Sequence, residues 1–287
     1  MYKALCPYAI GVHPARLEEA LTAARAGDFQ GVEFSPHEVA DRVEAQGAAG
    51  VRTLFADAGV RPAAWGLPVD WRGSEADWRQ GLAELPRLAR AASLIGGTRV
   101  TTWVMPGSDE RPFEENYGFH VDRFRPISAI LGDHGCFLGL EFIGPKTLRD
   151  SLRYPFLYQM EGMLGMAQEI GANVGLLLDC WHWYTSGGSR EGIGRLKPAQ
   201  VVYVHVNDAP AGIPVDEQVD DVRALPGETG VIDVTGFLRM LASIGYEGPV
   251  TPDPFKRELS SLPSDSARLA AVGGAMNKIF SQAGLRP

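Results

Sequence analysis

Gly175-Leu-Leu-Leu-Asp179-Cys-Trp-His182 reads as a short buried strand that ends in an acid, with a histidine close behind. Three other stretches repeat the pattern. They are Gly139-Leu-Glu141-Phe-Ile, Val201-Val-Tyr-Val-His205-Val-Asn-Asp208 and Gly248-Pro-Val-Thr-Pro-Asp253-Pro-Phe. Each puts one metal-liking side chain where an apolar run gives out. An ionised carboxylate in such a run is costly unless it is paired or bound to a cation. In a parallel barrel the strand ends converge, so residues far apart in sequence can share one ion.

Working outward, apolar runs recur near residues 2–6, 30–34, 60–65, 98–104, 136–142, 174–179, 200–206 and 248–253. Between them lie segments with helical spacing, over 15–26, 75–95, 113–131, 156–170, 234–244 and 264–283. Short apolar strands alternating with helices imply parallel pairing through crossover helices. Gly27, Gly59, Gly96-Gly97, Gly135, Gly171 and Gly245 each follow a helical segment, where a left-handed C-cap belongs. Eight units of roughly 36 residues predict a single (β/α)8 TIM barrel over 1–287. A doubly wound sheet is the alternative, but its Gly-x-Gly-x-x-Gly turn is missing; Val12-His13-Pro14 stands after the first strand instead. The long irregular stretch 209–233 follows the His205 strand. As a loop at the C-terminal face it is expected to cover a substrate.

Composition narrows the function classes. Hydrophobic residues make up 45% of the chain, enough for a large core, and the formal charge is −8. An acidic chain with no basic run disfavours nucleic-acid binding. Cys6, Cys136 and Cys180 are too few and too scattered for a disulfide framework. No window approaches the length of a membrane span, and the opening residues lack the apolar stretch expected of a signal peptide. A cytoplasmic protein acting on a small carbohydrate or polyol is expected, and a homo-oligomer is compatible with the composition.

Glu141, Asp179, His205 and Asp253 form the expected metal set. Carboxylate and imidazole without thiolate suit Mn, Mg, Co or Zn. Such an ion polarises a carbonyl and stabilises an enediolate. Glu141 and Asp253 are the expected proton-moving carboxylates. Asp179 also has a plainer reading as a helix N-cap. His182, three residues after Asp179, and Arg223, ahead of Leu225-Pro-Gly-Glu-Thr-Gly, are expected to hold substrate oxygens. Lys146 follows the Glu141 strand and could meet a carboxylate or carbonyl oxygen. Glu33 ends the second strand. Trp65 and Trp103 end the third and fourth and could form an apolar wall for a sugar face.

At these residues the chain resembles the xylose isomerase-like barrel superfamily, in its sugar phosphate isomerase/epimerase branch. The resemblance spans the chain and is strongest from Gly139 onward. It implies Glu, Asp, His and Glu ligands at the ends of strands five to eight, and Glu141, Asp179 and His205 match the first three. It also implies substrate contacts at His182 and Arg223, and Gly245-Tyr-Glu-Gly-Pro-Val matches the family's approach to the last strand. Two departures stand out. The family's last ligand is Glu, whereas Pro252-Asp253-Pro254 offers an acid one methylene shorter, and Lys146 lies where sugar epimerases carry a second Glu. The implied function is a divalent-metal-dependent isomerase or epimerase of a keto sugar or related polyol. The alternatives are a dehydratase of the inosose type, in which Lys146 aids loss of hydroxide, and a carbohydrate-binding barrel without catalysis.

Overall fold

The computed structural model describes residues 1–285. Its principal sheet is all-parallel and curls into a barrel. The strands are β1 Tyr2–Leu5, β2 Gly31–Val32, β3 in two pieces, Arg61–Pro62 and Trp65–Gly66, β4 Arg99–Val104, β5 Phe137–Phe142, β6 Val174–Asp179, β7 Val201–Val206 and β8 Pro249–Pro252. Along the sheet, the first piece of β3 is followed by β2, β1, β8, β7, β6, β5 and β4, and the second piece of β3 comes last. The third strand therefore stands at both ends of the order and closes the ring. Ala63 N–H donates to Val32 on one side (2.9 Å) and Leu67 N–H to Thr101 on the other (2.9 Å). The expected continuous strand over 60–65 is thus corrected to two pieces. Pro62 has no amide hydrogen to carry a ladder onward, and the pairing changes from β2 to β4 across Ala63-Ala64.

Eight helices cover the outside: α1 Leu17–Ala26, α2 Pro36–Ala58, α3 Glu75–Leu94, α4 Phe113–Asp133, α5 Met160–Ile170, α6 Arg190–Gly194, α7 Val234–Ser243 and α8 Asp265–Ala283. Helix α2 lies outside the segments expected to be helical. Its N-terminus is nonetheless capped, Ser35 accepting from Glu38 N–H, and Gly47 (φ 79°) breaks it in the middle. Helix α5 starts later than expected because Tyr154–Pro155 pairs antiparallel with Gly107–Ser108, a small flap above the barrel rim. Gly59, Gly96, Gly135 and Gly245 have the left-handed φ expected of them, but Gly27 (φ −90°) and Gly171 (φ 177°) do not. After α1 it is Asp28 that takes the left-handed turn, at φ 59°. No helix among the described residues is long and apolar enough to cross a membrane.

Two cores follow from strand alternation. Leu138, Leu140, Phe142, Leu176, Leu178, Val204 and Val250 face outward into the core shared with the helices. A smaller cluster of Ala4, Ala63, Ala64, Leu177 and Tyr203 fills the barrel interior. Above it, at the C-terminal ends of the strands, the same inward period reaches Trp103, Glu141, Asp179, His205 and Asp253. Register sets Trp103 opposite Glu141 and His205 opposite Asp179, with Glu141 itself opposite Leu177, one inward position below Asp179. Gly139, one inward position below Glu141, leaves a side chain little space. A Cβ there would sit 3.2 Å from the Leu177 amide nitrogen and from the Val202 side chain.

Candidate functional site

The strand ends of β5, β6 and β7 bring three donors together. One ligand atom each from Glu141, Asp179 and His205 lies within 4.8 Å of the other two. His205 Nδ1 is 3.3 Å from Glu141 Oε1, yet neither of these buried atoms has a hydrogen-bond partner. Buried polar atoms are ordinarily satisfied. An imidazole nitrogen and a carboxylate oxygen facing one gap, with a second carboxylate beside them, form a cradle for a cation once the imidazole gives up its proton. Two carboxylates and an imidazole suit a hard or borderline divalent ion. The residues present therefore fit a divalent metal.

Asp253 joins the group from the end of β8. Its Oδ2 lies 3.7 Å from His205 Nδ1 and 3.1 Å from Arg223 Nη1. Arg223 is buried and meets three acids: Asp179 at 2.9 Å, Asp253 at 3.1 Å and Asp220 at 3.0 Å. Asp253 thus faces the cluster through a guanidinium, outside the set of three mutually close donors.

Asp179 has both of its expected roles. One oxygen caps the helical turn Cys180–Thr185 by accepting from Trp181 N–H at 2.7 Å. The other faces Arg223. That turn carries His182 into the same pocket. Gly144 N–H donates to His182 Nδ1 at 3.2 Å, so the neutral ring keeps its hydrogen on Nε2. Arg223 Nη2 lies 3.4 Å from Nε2 and is a second donor beside it. A side chain at Gly144 would run into the carbonyl of His182, so glycine permits this close approach.

The charge balance fixes the protonation states in direction. Burial pushes the Glu141 carboxyl up, and the neighbouring His205 opposes it. Burial raises Asp179 too, against the pull of Arg223 and His205. For His205 burial acts downward, but Glu141, Asp253 and Asp179 outweigh it, so its imidazole is held well above the usual range. His182 is pushed well below that range by burial, Arg223 and His205 together. The site thus compensates its acids with Arg223 and a protonated His205, and a metal would take over the imidazolium's part.

The remaining sequence candidates divide. Trp103 reaches the mouth with 44% exposure, level with Glu141. Glu33 lies under the mouth, where Tyr203 Oη donates to it at 2.9 Å, and burial raises its carboxyl. It also lines a cavity of about 200 Å³ between the first two strand-end loops, with Tyr8, Phe34, Ser35 and Gly66. Lys146 is not brought to the cluster. It is 43% exposed and paired with Asp150 one helical turn on. Trp65 is fully buried and donates to the Gly97 carbonyl at 2.9 Å, so it is core rather than wall.

Three positioning residues escaped the sequence reading. Asn207 donates to Asp179 Oδ1 at 3.0 Å and to the Asp253 carbonyl at 3.2 Å, holding two strand ends together. Asp208 accepts from the backbone of Ala209, Thr229, Gly230 and Ile232 and so shapes the long loop. Asp220 accepts from Arg223 and approaches His182 Nδ1 at 3.8 Å. The polar pair after an apolar strand was the available signal for Asn207 and Asp208. Asp220 had none, being one of several loop acids.

Comparison with known proteins follows the same line. The family model described as xylose isomerase-like TIM barrel matches residues 21–273. Among curated relatives, an inosose isomerase of Halalkalibacterium halodurans is 28% identical over 148 residues, 51% of this chain and 49% of that protein. A 3-dehydroshikimate dehydratase of Pseudomonas aeruginosa is 32% identical over 110 residues, 38% of this chain and 17% of that protein. The chain thus matches about half the length, or less, of these curated relatives. Among solved structures, a xylose isomerase domain protein from Alicyclobacillus acidocaldarius is 31% identical, covers 99% of both chains and has a TM-score of 0.86. The IolI protein with a bound zinc atom is 19% identical over 99% of both chains, with a TM-score of 0.78, and shares the fold. The chain belongs to the xylose isomerase-like TIM barrel family.

Proposed function

We propose that this barrel is a divalent-metal-dependent isomerase or epimerase of a keto sugar or related polyol. The observation that carries the reading is the unsatisfied pair of Glu141 Oε1 and His205 Nδ1, buried 3.3 Å apart beside Asp179 on three adjacent strand ends. Glu141, Asp179 and His205 would hold the ion, with Asp253 as the fourth candidate. The bound ion supplies electrophilic polarisation of a carbonyl and its neighbouring hydroxyl. Everything else is work for the side chains. Glu141 would hold the ion through Oε1 and take the proton from the carbon beside the carbonyl on its other carboxylate oxygen. His182 Nε2–H and Arg223 Nη2 are adjacent donors, and one substrate oxygen serves both. Trp103 closes the wall next to Glu141, where it excludes water from an apolar sugar face.

A dehydratase is the second reading, and one observation favours it. Asp253, which would be the opposing base of a two-base epimerase, is occupied by Arg223 at 3.1 Å. One free carboxylate suffices to remove a proton before hydroxide departs. An inosose isomerase and a dehydratase are both named among the relatives. The test is incubation of the Mn-loaded protein with inososes and keto sugars in D2O. Deuterium entering the carbon beside the carbonyl, with isomer formation, supports the first reading. A rising ultraviolet absorbance of a conjugated carbonyl supports the second. No exchange and no absorbance with any member of the panel would sink both.

A further inference from the structure

On the β3–β4 side of the mouth, Arg72 is clamped between two indoles. Its guanidinium carbon lies 4.0 Å from the centre of the Trp71 ring and 3.7 Å from that of Trp103. Trp71 is itself fixed, buried and donating to Thr102 Oγ1 at 3.2 Å. The guanidinium makes one hydrogen bond, to the carbonyl of Trp103, and no ion pair among the described residues. Its nearest acid in sequence, Asp70, accepts from Gly73 N–H instead. Two stacked faces fix the plane of the group and leave its remaining N–H edge free. Such an edge matches a carboxylate or phosphate.

Three other cations close to the cluster are engaged, and Arg153 of the flap stacks on Tyr154. Arg223 meets three acids. Lys146 pairs with Asp150. Arg149 donates to the Gly144 carbonyl and stacks on Tyr158. Arg72 alone among these is exposed, clamped on both faces and without an anion. Its Trp103 partner is the residue in register with Glu141, so the guanidinium stands one ring away from the proposed proton acceptor.

We infer that the substrate is an anion. It is a polyhydroxylated ketone bearing a carboxylate or phosphate, with an apolar ring face on Trp103 and the charged group on Arg72. The inference rests on the reading of Glu141 as the reacting base and narrows its substrate class. An unpaired guanidinium is otherwise a poor use of two tryptophans at a mouth whose protein carries a net charge of −8.

Calorimetric titration of the full chain tests it, with and without Mn. The probes are shikimate (a trihydroxycyclohexene carboxylate), its neutral methyl ester, and inorganic phosphate. Shikimate or phosphate is expected to bind, shikimate about tenfold more tightly than the ester. In R72M that advantage disappears and the ester is unchanged, while R72K recovers only part of it because an ammonium lacks the fork. Binding of phosphate lost in R72M, with shikimate and ester equal, assigns a phosphate ester. Equal affinity of all three in the wild type, or equal losses for acid and ester in R72M, overturns the inference. So does the absence of heat with either anion up to about 10 mM, a Kd weaker than any useful contact. A Mn-independent effect of R72M on anion binding separates this site from the metal site. If Mn fails to bind, the proposed function falls while the anion site still stands or fails by its own titration.

Discussion

The barrel is built unevenly. Strands β4 to β7 run six residues each, whereas β2 has two and β3 is split into two pairs. The long-strand half carries buried charges: Glu141, Asp179 and His205 stand on adjacent, directly paired strands. The short-strand half offers loops and, after the split β3, an arginine without an anion that packs on the exposed Trp103 near the end of β4. A dense ladder fixes side chains precisely enough for acids to be buried together. Short strands leave the loops free to approach a substrate. On the proposed reading the long-strand half carries the chemistry together with His182 and Arg223, and the short-strand half is a recognition half built on Arg72.

Mutations in the two halves should therefore fail differently. The largest effect is expected from E141Q, which keeps shape and removes the proposed proton acceptor. Turnover or deuterium exchange should fall by on the order of 10²–10⁴, with an unchanged circular dichroism spectrum. Near-normal exchange in E141Q would move the base elsewhere. Next comes R223M, which strands Asp179, Asp220 and Asp253 without their cation. Breaking such a buried cluster costs roughly 3–5 kcal/mol, read as a lower urea midpoint in the metal-free protein. An unaltered midpoint would mean that the three acids do not depend on the guanidinium.

Loop support should show a middle-sized loss. D208A removes four backbone contacts of the 209–233 excursion. It is expected to destabilise by about 1–3 kcal/mol and to open that loop to proteolysis before global unfolding. Cleavage no faster than in the wild type would argue that the loop is held by other contacts.

The last effect lies in the recognition half and is confined to acid pH. His120 lies under Trp71 with ring centres 5.0 Å apart, and burial pushes its imidazole down to about 4. Between that value and the ordinary 6.5, the unfolded chain binds a proton that the folded chain refuses. The stability it contributes is therefore complete above about pH 6.5 and is lost as pH falls toward 4. H120Q should flatten the stability profile over that window. An unchanged slope would show that other groups set it.

Much of the chemical half was legible in the sequence. An apolar run that ends in an acid or histidine has few interpretations, and four such runs constrain one another. The barrel followed from the same alternation. The recognition half was harder to read. Pro62 and the two alanines after it look like one strand, because nothing local shows that pairing passes from β2 to β4. Helix α2 hides behind its glycines, and only the short signal Ser35-Pro36 with Glu38 marks its start. Lys146 looked like a substrate contact because its distance along the chain from Glu141 is short. Its side chain turns to Asp150 four residues on, a preference set by helix geometry. Asp220 and Arg72 gained their meaning only from three-dimensional neighbours.

The central claim is that Glu141, Asp179 and His205 hold one ion. Equilibrium dialysis of the full chain against Mn tests it most directly, with wild type beside H205A. The wild type should retain one ion per chain, and H205A should bind on the order of 100-fold more weakly or not at all. Equal Mn content in the two proteins, or none in the wild type, would contradict the account.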